Sequence, residues 1–201
     1  MLLIKDAKVL TMAGRILDRG DVLIHEGKII DVGQNLSANC DVIDAKGMWV
    51  LPGFIEAHCH IGLEEPYAGA AGEDVNEYSD PITPYLNGLD GVNFYEETFD
   101  IALKAGITTV CTGPGSANVV GGTFSIIKTY GKSKFDMIIK EKAAMKGALG
   151  ENPKRVYGSK GKTPVTRMGI AYLLRDILKR TQNYMKKKEK AWKRENFLMR
   201  I

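Results

Sequence analysis

The stretch PGFIEAHCH at positions 52–60 separates two parts of the chain that have different patterns. Pro-Gly is a strong turn signal, and the mainly apolar run at 54–61 that follows predicts a strand. Alternate side chains of a strand point to the same face, so we expect Glu56, His58 and His60 to share one. Two neutral imidazoles side by side suit Zn²⁺ or a similar divalent cation. A bare pair of this kind also fits an ordinary surface or core position, so its interpretation depends on context.

The residues before this stretch predict a small all-β unit. Segments 21–25 and 28–32 flank Glu26-Gly27, which is the pattern of a β-hairpin with glycine at a positive φ angle. Segments 42–44 and 48–51 form a second predicted pair around 45–47. We therefore expect residues 1–51 to fold as meandering strands.

The residues after it predict alternating strands and helices. A helix is expected at 93–105 with Gly106 as its stop, followed by a β-branched strand at 107–112. With strand 54–61, these segments predict a βαβ unit with parallel strands. Further strands are expected at 123–129 and 136–141. A last helix is predicted from Thr163, as the N-cap, with Pro164 at its first position, to at least Met185.

The glycine-rich loop at 113–122 has two interpretations. Its backbone N–H groups could face a substrate anion, or it could be a plain tight turn between two elements. The sequence does not choose between them.

Composition bounds the class of protein. The chain of 201 residues is 44% hydrophobic, with a mean hydropathy of −0.15, which is ordinary for a globular protein and argues against disorder. Lys5 and Asp6 interrupt the first apolar run, and no run approaches the roughly 20 apolar residues of a membrane span. The three cysteines are far apart and include no C-x-x-C pair, which predicts reduced thiols. We therefore expect a cytoplasmic protein without a membrane partner.

The net charge of +4 is unevenly distributed. Lysine and arginine are concentrated after Thr163, and the rest of the chain is mildly acidic. The basic tail at 186–201, which contains Lys186-Lys187-Lys188, is interpreted as a solvated helix face or linker. A nucleic-acid-binding arm is the alternative, but the tail lacks interleaved aromatic platforms, so nucleic acid is not the expected partner.

Several blocks of the sequence resemble one family. The stretch 52–60 resembles the P-G-x-I-D-x-H-x-H signature of the amidohydrolase superfamily, which includes dihydroorotases, hydantoinases, imidazolonepropionases and nucleobase deaminases. Glu56 stands where that signature usually has aspartate. More specifically, the chain resembles imidazolonepropionase-related amidohydrolases over about residues 1–185, in blocks at 58–62, 80–84, 89–93, 105–109, 113–122, 149–154 and 163–168.

The resemblance implies an α/β fold, namely an incomplete (β/α)8 TIM-type barrel preceded by part of a small β-sandwich domain. The implied domains are 1–51 for the sandwich part and 52–201 for the barrel part. It also implies a small-molecule substrate and a metal-activated water that attacks an amide-like carbon. His58 and His60 match the family's first metal ligands, and the divalent metal is expected to be Zn²⁺. Glu141, at the end of predicted strand 136–141, is a candidate third ligand or a solvated carboxylate.

The rest of the family's site has no counterpart in this sequence. The resemblance implies further histidines and an aspartate acid/base on later strands, whereas the third histidine here, His25, lies in the β unit and is expected at the surface. A whole barrel takes about 250 residues. We therefore expect a truncated enzyme that is inactive alone and whose catalytic residues are unknown. The alternative is a non-catalytic half-barrel that binds partners, either as a homo-oligomer or with a separately encoded second half.

Overall fold

The computed structural model describes residues 1–198. The chain divides into two compact units, Met1–Phe54 and Ile55–Ile201. Each unit is built around its own sheet. Within the part of the chain that the structure describes, no helix is long and apolar enough to cross a lipid bilayer.

The first unit is a five-stranded sheet. Its strands are β1 (Leu2–Leu10), β2 (Ile16–His25), β3 (Lys28–Gly33), β4 (Asp41–Asp44) and β5 (Trp49–Val50). The order is β3-β2-β1-β4, with β5 also paired to β1. The predicted hairpin is confirmed, because β2 and β3 are antiparallel around Glu26 and Gly27. Both turn residues have positive φ angles, 50° and 73°, which matches the right-handed twist of the two strands.

The predicted pairing of segments 42–44 and 48–51 with each other is wrong. Both β4 and β5 pair in parallel with β1, one after the other along its length. The chain between them is held to β1 where the Ala45 amide donates to the Lys5 carbonyl at 2.8 Å, and Met48 then donates back to Ala45. Ala45 is buried in the core of this unit, with Ala7, Val9, Leu17 and Val22. The assignment of the unit to a β-sandwich stays a prediction.

The second unit contains a four-stranded sheet. Its strands are β6 (Phe54–Cys59), β7 (Ile107–Thr112), β8 (Val120–Lys128) and β9 (Ile138–Gly147), in the order β6-β7-β8-β9. The predicted strands at 54–61 and 107–112 are confirmed, and they are neighbours in the sheet. Helix α1 (Thr98–Lys104) lies between them in sequence and is shorter than predicted. The segment before α1 does not extend the helix, because the Asn93 N–H donates to the Gly62 carbonyl at 2.8 Å.

The later strands depart from a repeated parallel pattern. Strand β8 is antiparallel to both β7 and β9. The glycine-rich connection from Thr112 to Val120 is too short for the crossover that parallel neighbours need. The strand predicted at 136–141 is also misplaced. A short helix, α2 (Lys134–Met137), precedes β9, which runs on to Gly147. The fold is therefore a mixed α/β arrangement, and the incomplete barrel stays a proposal.

Two further helices complete the described structure. Helix α3 (Glu151–Gly158) was not predicted, and α4 (Arg167–Leu198) begins later than Thr163. The N-cap is Thr166, not Thr163, because the Thr166 hydroxyl accepts the Gly169 N–H at 3.1 Å. Helix α4 includes the basic tail from 186 to 198, and positions 199–201 of that tail lie outside the described residues.

Candidate metal site

Strand β6 has one face in the core and one face bearing the histidines. Cys59 and, just beyond the strand, Ile61 pack against the buried cluster of the second unit, which consists of Phe99, Val110, Ile127 and Met137. His58 and His60 alternate with them and face the other way. Their ring centroids are 5.3 Å apart, with ring planes at 83°. The alternation in sequence therefore brings the two imidazoles together.

A backbone carbonyl fixes the orientation of His60. Its Nδ1 lies 2.7 Å from the Gly113 carbonyl oxygen, which can only accept a hydrogen bond. Nδ1 must therefore carry the proton, and the lone pair of the neutral ring is on Nε2. Metal-binding histidines commonly have their second nitrogen oriented in this way.

Phe124 on β8 packs against both histidines. Its ring centroid is 5.3 Å from that of His58 and 6.2 Å from that of His60. The absence of a side chain at Gly113 leaves room for the Phe124 ring, since a Cβ at Gly113 would lie 2.6 Å from that ring. Phe124 is 5% exposed. The imidazoles are thus supported by a well-packed aromatic side chain.

Lys146, which the sequence did not single out, lies next to His58. Its Nζ is 3.3 Å from His58 Nε2 and 5.5 Å from the centre of the Phe124 ring, and only 7% of the residue is exposed. Burial lowers the pKa of the Lys146 amine. The charge of Lys146, and then burial, lower the pKa of the His58 imidazole and favour the neutral ring. The signal in the sequence was slight, because Lys146 follows the exposed Lys140 and Lys142 on the same strand.

Glu141 is exposed and is not grouped with the two histidines among the described residues, which favours the solvated carboxylate over the third ligand. It lies within β9 and not at the strand's end, because the strand begins at Ile138 and continues to Gly147. It lines a separate cavity of about 370 Å³ with Asp90, Lys134 and Phe135. Among residues 1–198, no group of three or more His, Cys, Asp or Glu side chains is arranged to hold a metal ion.

At Gly115 and Ala117, the glycine-rich loop is a packed turn and not an open anion site. Gly115 donates its N–H to the Val75 carbonyl at 2.7 Å, and Ala117 donates to Asn76 Oδ1 at 3.0 Å. These N–H groups are therefore used within the protein. His25 is 48% exposed in the first unit and takes no part in the pair.

Several known proteins are similar to this chain in sequence or structure. A solved amidohydrolase from Thermotoga maritima is 44% identical, with a TM-score of 0.90, and the match covers 96% of this chain and 50% of that one. Amidohydrolase tasK of Hapsidospora irregularis is 33% identical over 188 residues, which is 85% of this chain and 19% of that protein. A dihydroorotase of Elusimicrobium minutum is 34% identical over 115 residues, covering 57% and 21% respectively. No protein-family model matches the chain. The chain thus spans half of the solved structure and about a fifth of each of these two curated relatives.

Proposed function

This chain belongs to the amidohydrolase superfamily, and from that premise we propose that it forms the N-terminal part of a metal-dependent hydrolase. The proposed reaction is the hydrolysis of a non-peptide carbon–nitrogen bond in a small molecule. The observation that carries the proposal is the placement of His58 and His60, side by side on one face of the sheet. Their shared face is what a metal site at this position requires.

The residues present fit part of a metal site. His60 has its Nε2 lone pair available, because its Nδ1 proton is bonded to Gly113. His58 is favoured in the neutral form, which is the form that binds metal ions. Lys146 lies 3.3 Å from His58, and its amine can serve as a third ligand only after it releases its proton, because an ammonium group has no lone pair. Burial, which lowers the pKa of this amine, favours that release, and we include Lys146 in the proposed site. Imidazole ligands favour Zn²⁺, which when bound activates water and polarises a carbonyl group.

Metal titration tests this proposal. Zn²⁺ or Co²⁺ is added to chelator-treated protein, and affinity is measured by calorimetry and, for Co²⁺, by visible absorption. We expect His58→Ala and His60→Ala each to weaken binding by about tenfold or more, since losing one ligand leaves a single imidazole. His25→Ala is the matched control, because it removes an exposed histidine of the first unit. Equal affinity in wild type and both site variants would refute the metal site.

A second substitution tests Lys146. Lys146→Met keeps an apolar stem of similar length and removes the amine. We expect weaker metal binding, because the site loses an amine nitrogen that gives up its proton to bind the metal. Stronger binding would show that Lys146 stays an ammonium ion whose charge opposes the metal, and would remove it from the proposed ligands. Unchanged affinity would limit Lys146 to a packing role against Phe124.

One observation favours a second candidate, a non-catalytic half-barrel. The described residues supply two histidine ligands and no complete group of three His, Cys, Asp or Glu side chains. A hydrolytic zinc site needs three protein ligands and an acid/base. Light scattering after size-exclusion chromatography distinguishes the two candidates, since a stable dimer without bound metal favours the half-barrel. The relation to imidazolonepropionase-like enzymes and the cytoplasmic location stay predictions.

A further inference from the structure

The apolar face of helix α4 is buried only near the start of the helix. Ile170 is 3% exposed, and Leu174 and Ile177 are half-buried. From Leu178 to residue 193, every side chain of the helix is exposed. Helix α4 therefore has a packed first part and an exposed second part at 178–193.

The apolar side chains of the exposed part prolong the buried face. Leu178 comes four residues after Leu174, and Met185 and Trp192 follow at intervals of seven residues, which is close to two helical turns. Tyr184 borders this line. The exposed fractions are 55% for Leu178, 64% for Tyr184 and 63% for both Met185 and Trp192. These four side chains are called the apolar stripe.

Two polar residues lie within the stripe, and neither prevents its burial. The Thr181 hydroxyl donates to the Ile177 carbonyl at 2.8 Å, so it is hydrogen-bonded within the helix. Lys188 has a long apolar stem, which can lie along an apolar surface while its charge stays in water. The stripe can therefore be covered without leaving a polar group unpaired.

The opposite side of the exposed part is strongly basic. Residues 178–193 include seven lysine or arginine residues and one glutamate, a net charge of +6. That glutamate, Glu189, lies 2.6 Å from the Lys193 amine, so the helix neutralises it. At about 100° per residue, the side away from the stripe carries Lys179, Arg180, Lys186, Lys187, Lys190 and Lys193.

The stripe and the basic side together limit what can cover this part of α4. A second copy of the chain would place two strongly positive helices side by side, which like-charge repulsion opposes. Nucleic acid would neutralise the lysines but would leave the stripe in water. An anionic lipid surface satisfies both sides, because the apolar face enters the boundary between headgroups and acyl chains while the lysines stay near the charged headgroups. Tryptophan and tyrosine are enriched at that boundary.

We propose that residues 178–193 of α4 bind an anionic lipid surface as an amphipathic helix that lies along it. The occupant of the stripe is a bilayer leaflet with negatively charged headgroups. This role goes beyond the proposed hydrolysis and requires neither metal nor substrate. A helix that lies along a surface needs no spanning segment, so the proposal replaces the prediction of no membrane partner, which considered spanning segments.

Vesicle binding by the whole chain tests the proposal. Trp49→Phe leaves Trp192 as the single tryptophan, since the chain has two, so its emission reports on α4. Sedimentation with vesicles measures the bound fraction. We expect a blue shift of the emission with phosphatidylcholine vesicles that contain about 30% phosphatidylserine, and binding about tenfold tighter than to pure phosphatidylcholine. Binding should weaken as NaCl rises from about 50 to about 500 mM.

A first pair of variants tests the stripe. Leu178→Gln with Met185→Gln removes two of its side chains and keeps a high helix propensity, and should weaken binding to the anionic vesicles about tenfold. Met168→Gln with Tyr172→Gln is the matched control, because it removes two exposed apolar side chains from another face of α4 and should leave binding unchanged.

A second pair tests the charge. Lys186→Gln with Lys187→Gln should weaken binding to the anionic vesicles about tenfold, since each lysine near the surface contributes to the attraction. Lys140→Gln with Lys142→Gln removes two exposed lysines from β9 and should have no effect. Circular dichroism checks that all the variants keep their helix content.

Several outcomes would overturn the proposal. These are no binding to anionic vesicles at about 50 mM NaCl, equal binding to neutral and anionic vesicles, or no effect of either α4 test variant. Binding of a DNA duplex that needs Lys186 and Lys187 but not Leu178 and Met185, without vesicle binding, would assign this surface to nucleic acid. A dimer that dissociates in the Leu178→Gln, Met185→Gln variant, without vesicle binding, would assign the stripe to a second copy. The metal titration above is independent of all these results.

Discussion

Tyr157 and Asn118 both donate hydrogen bonds to the Asp80 carbonyl, so removing both donors should cost more than the sum of the single losses. The Tyr157 hydroxyl donates to Asp80 O at 2.8 Å and lies 3.3 Å from Glu77 O. The Asn118 amide lies 2.8 and 2.9 Å from the same two oxygens. Tyr157 is fully buried and Asn118 nearly so. The Asp80 carbonyl therefore keeps one donor after either single substitution and none after both.

The magnitudes follow from this count of donors. Tyr157→Phe should lower the free energy of unfolding by about 1 kcal/mol, the net value of one buried hydrogen bond. Asn118→Ala should cost about 2 kcal/mol, since it removes two donors and also the contact with Thr83. The double variant leaves the Asp80 carbonyl without either donor in a partly buried position, which adds about 1 kcal/mol beyond the sum.

Urea unfolding followed by circular dichroism at neutral pH measures the cycle. Tyr172→Phe is the matched control, because Tyr172 is 65% exposed on α4 and its change should stay within about 0.5 kcal/mol. If the double variant equals the sum of the singles within about 0.5 kcal/mol, the two donors do not share their acceptors. That result would show that Tyr157 and Asn118 do not hold the loop at 77–80 through a common carbonyl.

Three further predictions concern pH, packing and the metal site. Burial first, and then nearby Asp80 and Glu77, raise the pKa of Tyr157 to about 12. The contribution of Tyr157 to the free energy of unfolding is therefore complete below its pKa in the unfolded chain, about 10, and is lost as pH rises toward 12. The stability difference between wild type and Tyr157→Phe should therefore shrink by about 1 kcal/mol between about pH 9.5 and 11 in urea titrations, and a constant difference would contradict it. Gly88→Ala should lower the unfolding free energy by about 2 kcal/mol, because its Cβ would lie 2.5 Å from a β8 carbonyl oxygen, whereas Gly150→Ala meets no atom within 4 Å and should change it little; equal midpoints would contradict this. Phe124→Leu should weaken Zn²⁺ binding several-fold in the calorimetric titration, since both imidazoles lose their ring contact, and unchanged affinity would show that the rings are held otherwise.

Local patterns in the sequence predicted a substantial part of the fold and of the site. The hairpin at Glu26-Gly27 needs only two neighbouring residues with positive φ angles and the strands that flank them. Strand β7 follows Gly106, whose φ of 85° ends α1. The shared face of His58 and His60 follows from the two-residue period of a strand. Each of these depends on residues that are close in the chain.

Contacts between distant residues decided the rest. Nothing in segments 42–44 and 48–51 identifies β1 as their common partner, because strand pairing depends on backbone groups about 40 residues away. Residue type also does not decide whether residue 163 or residue 166 caps α4, because both are threonines; the hydrogen bond from the Gly169 N–H to the Thr166 hydroxyl decides it.

The sequence by itself determined that two imidazoles lie together beside a turn into the second unit, since their spacing and the strand period are local. Only the tertiary structure decided that Lys146 joins them and Glu141 does not. Both side chains lie on β9, and the start of that strand at Ile138 and its antiparallel register with β8 decide which side chain reaches His58. Register is a property of two strands together, so neither sequence segment alone contains it.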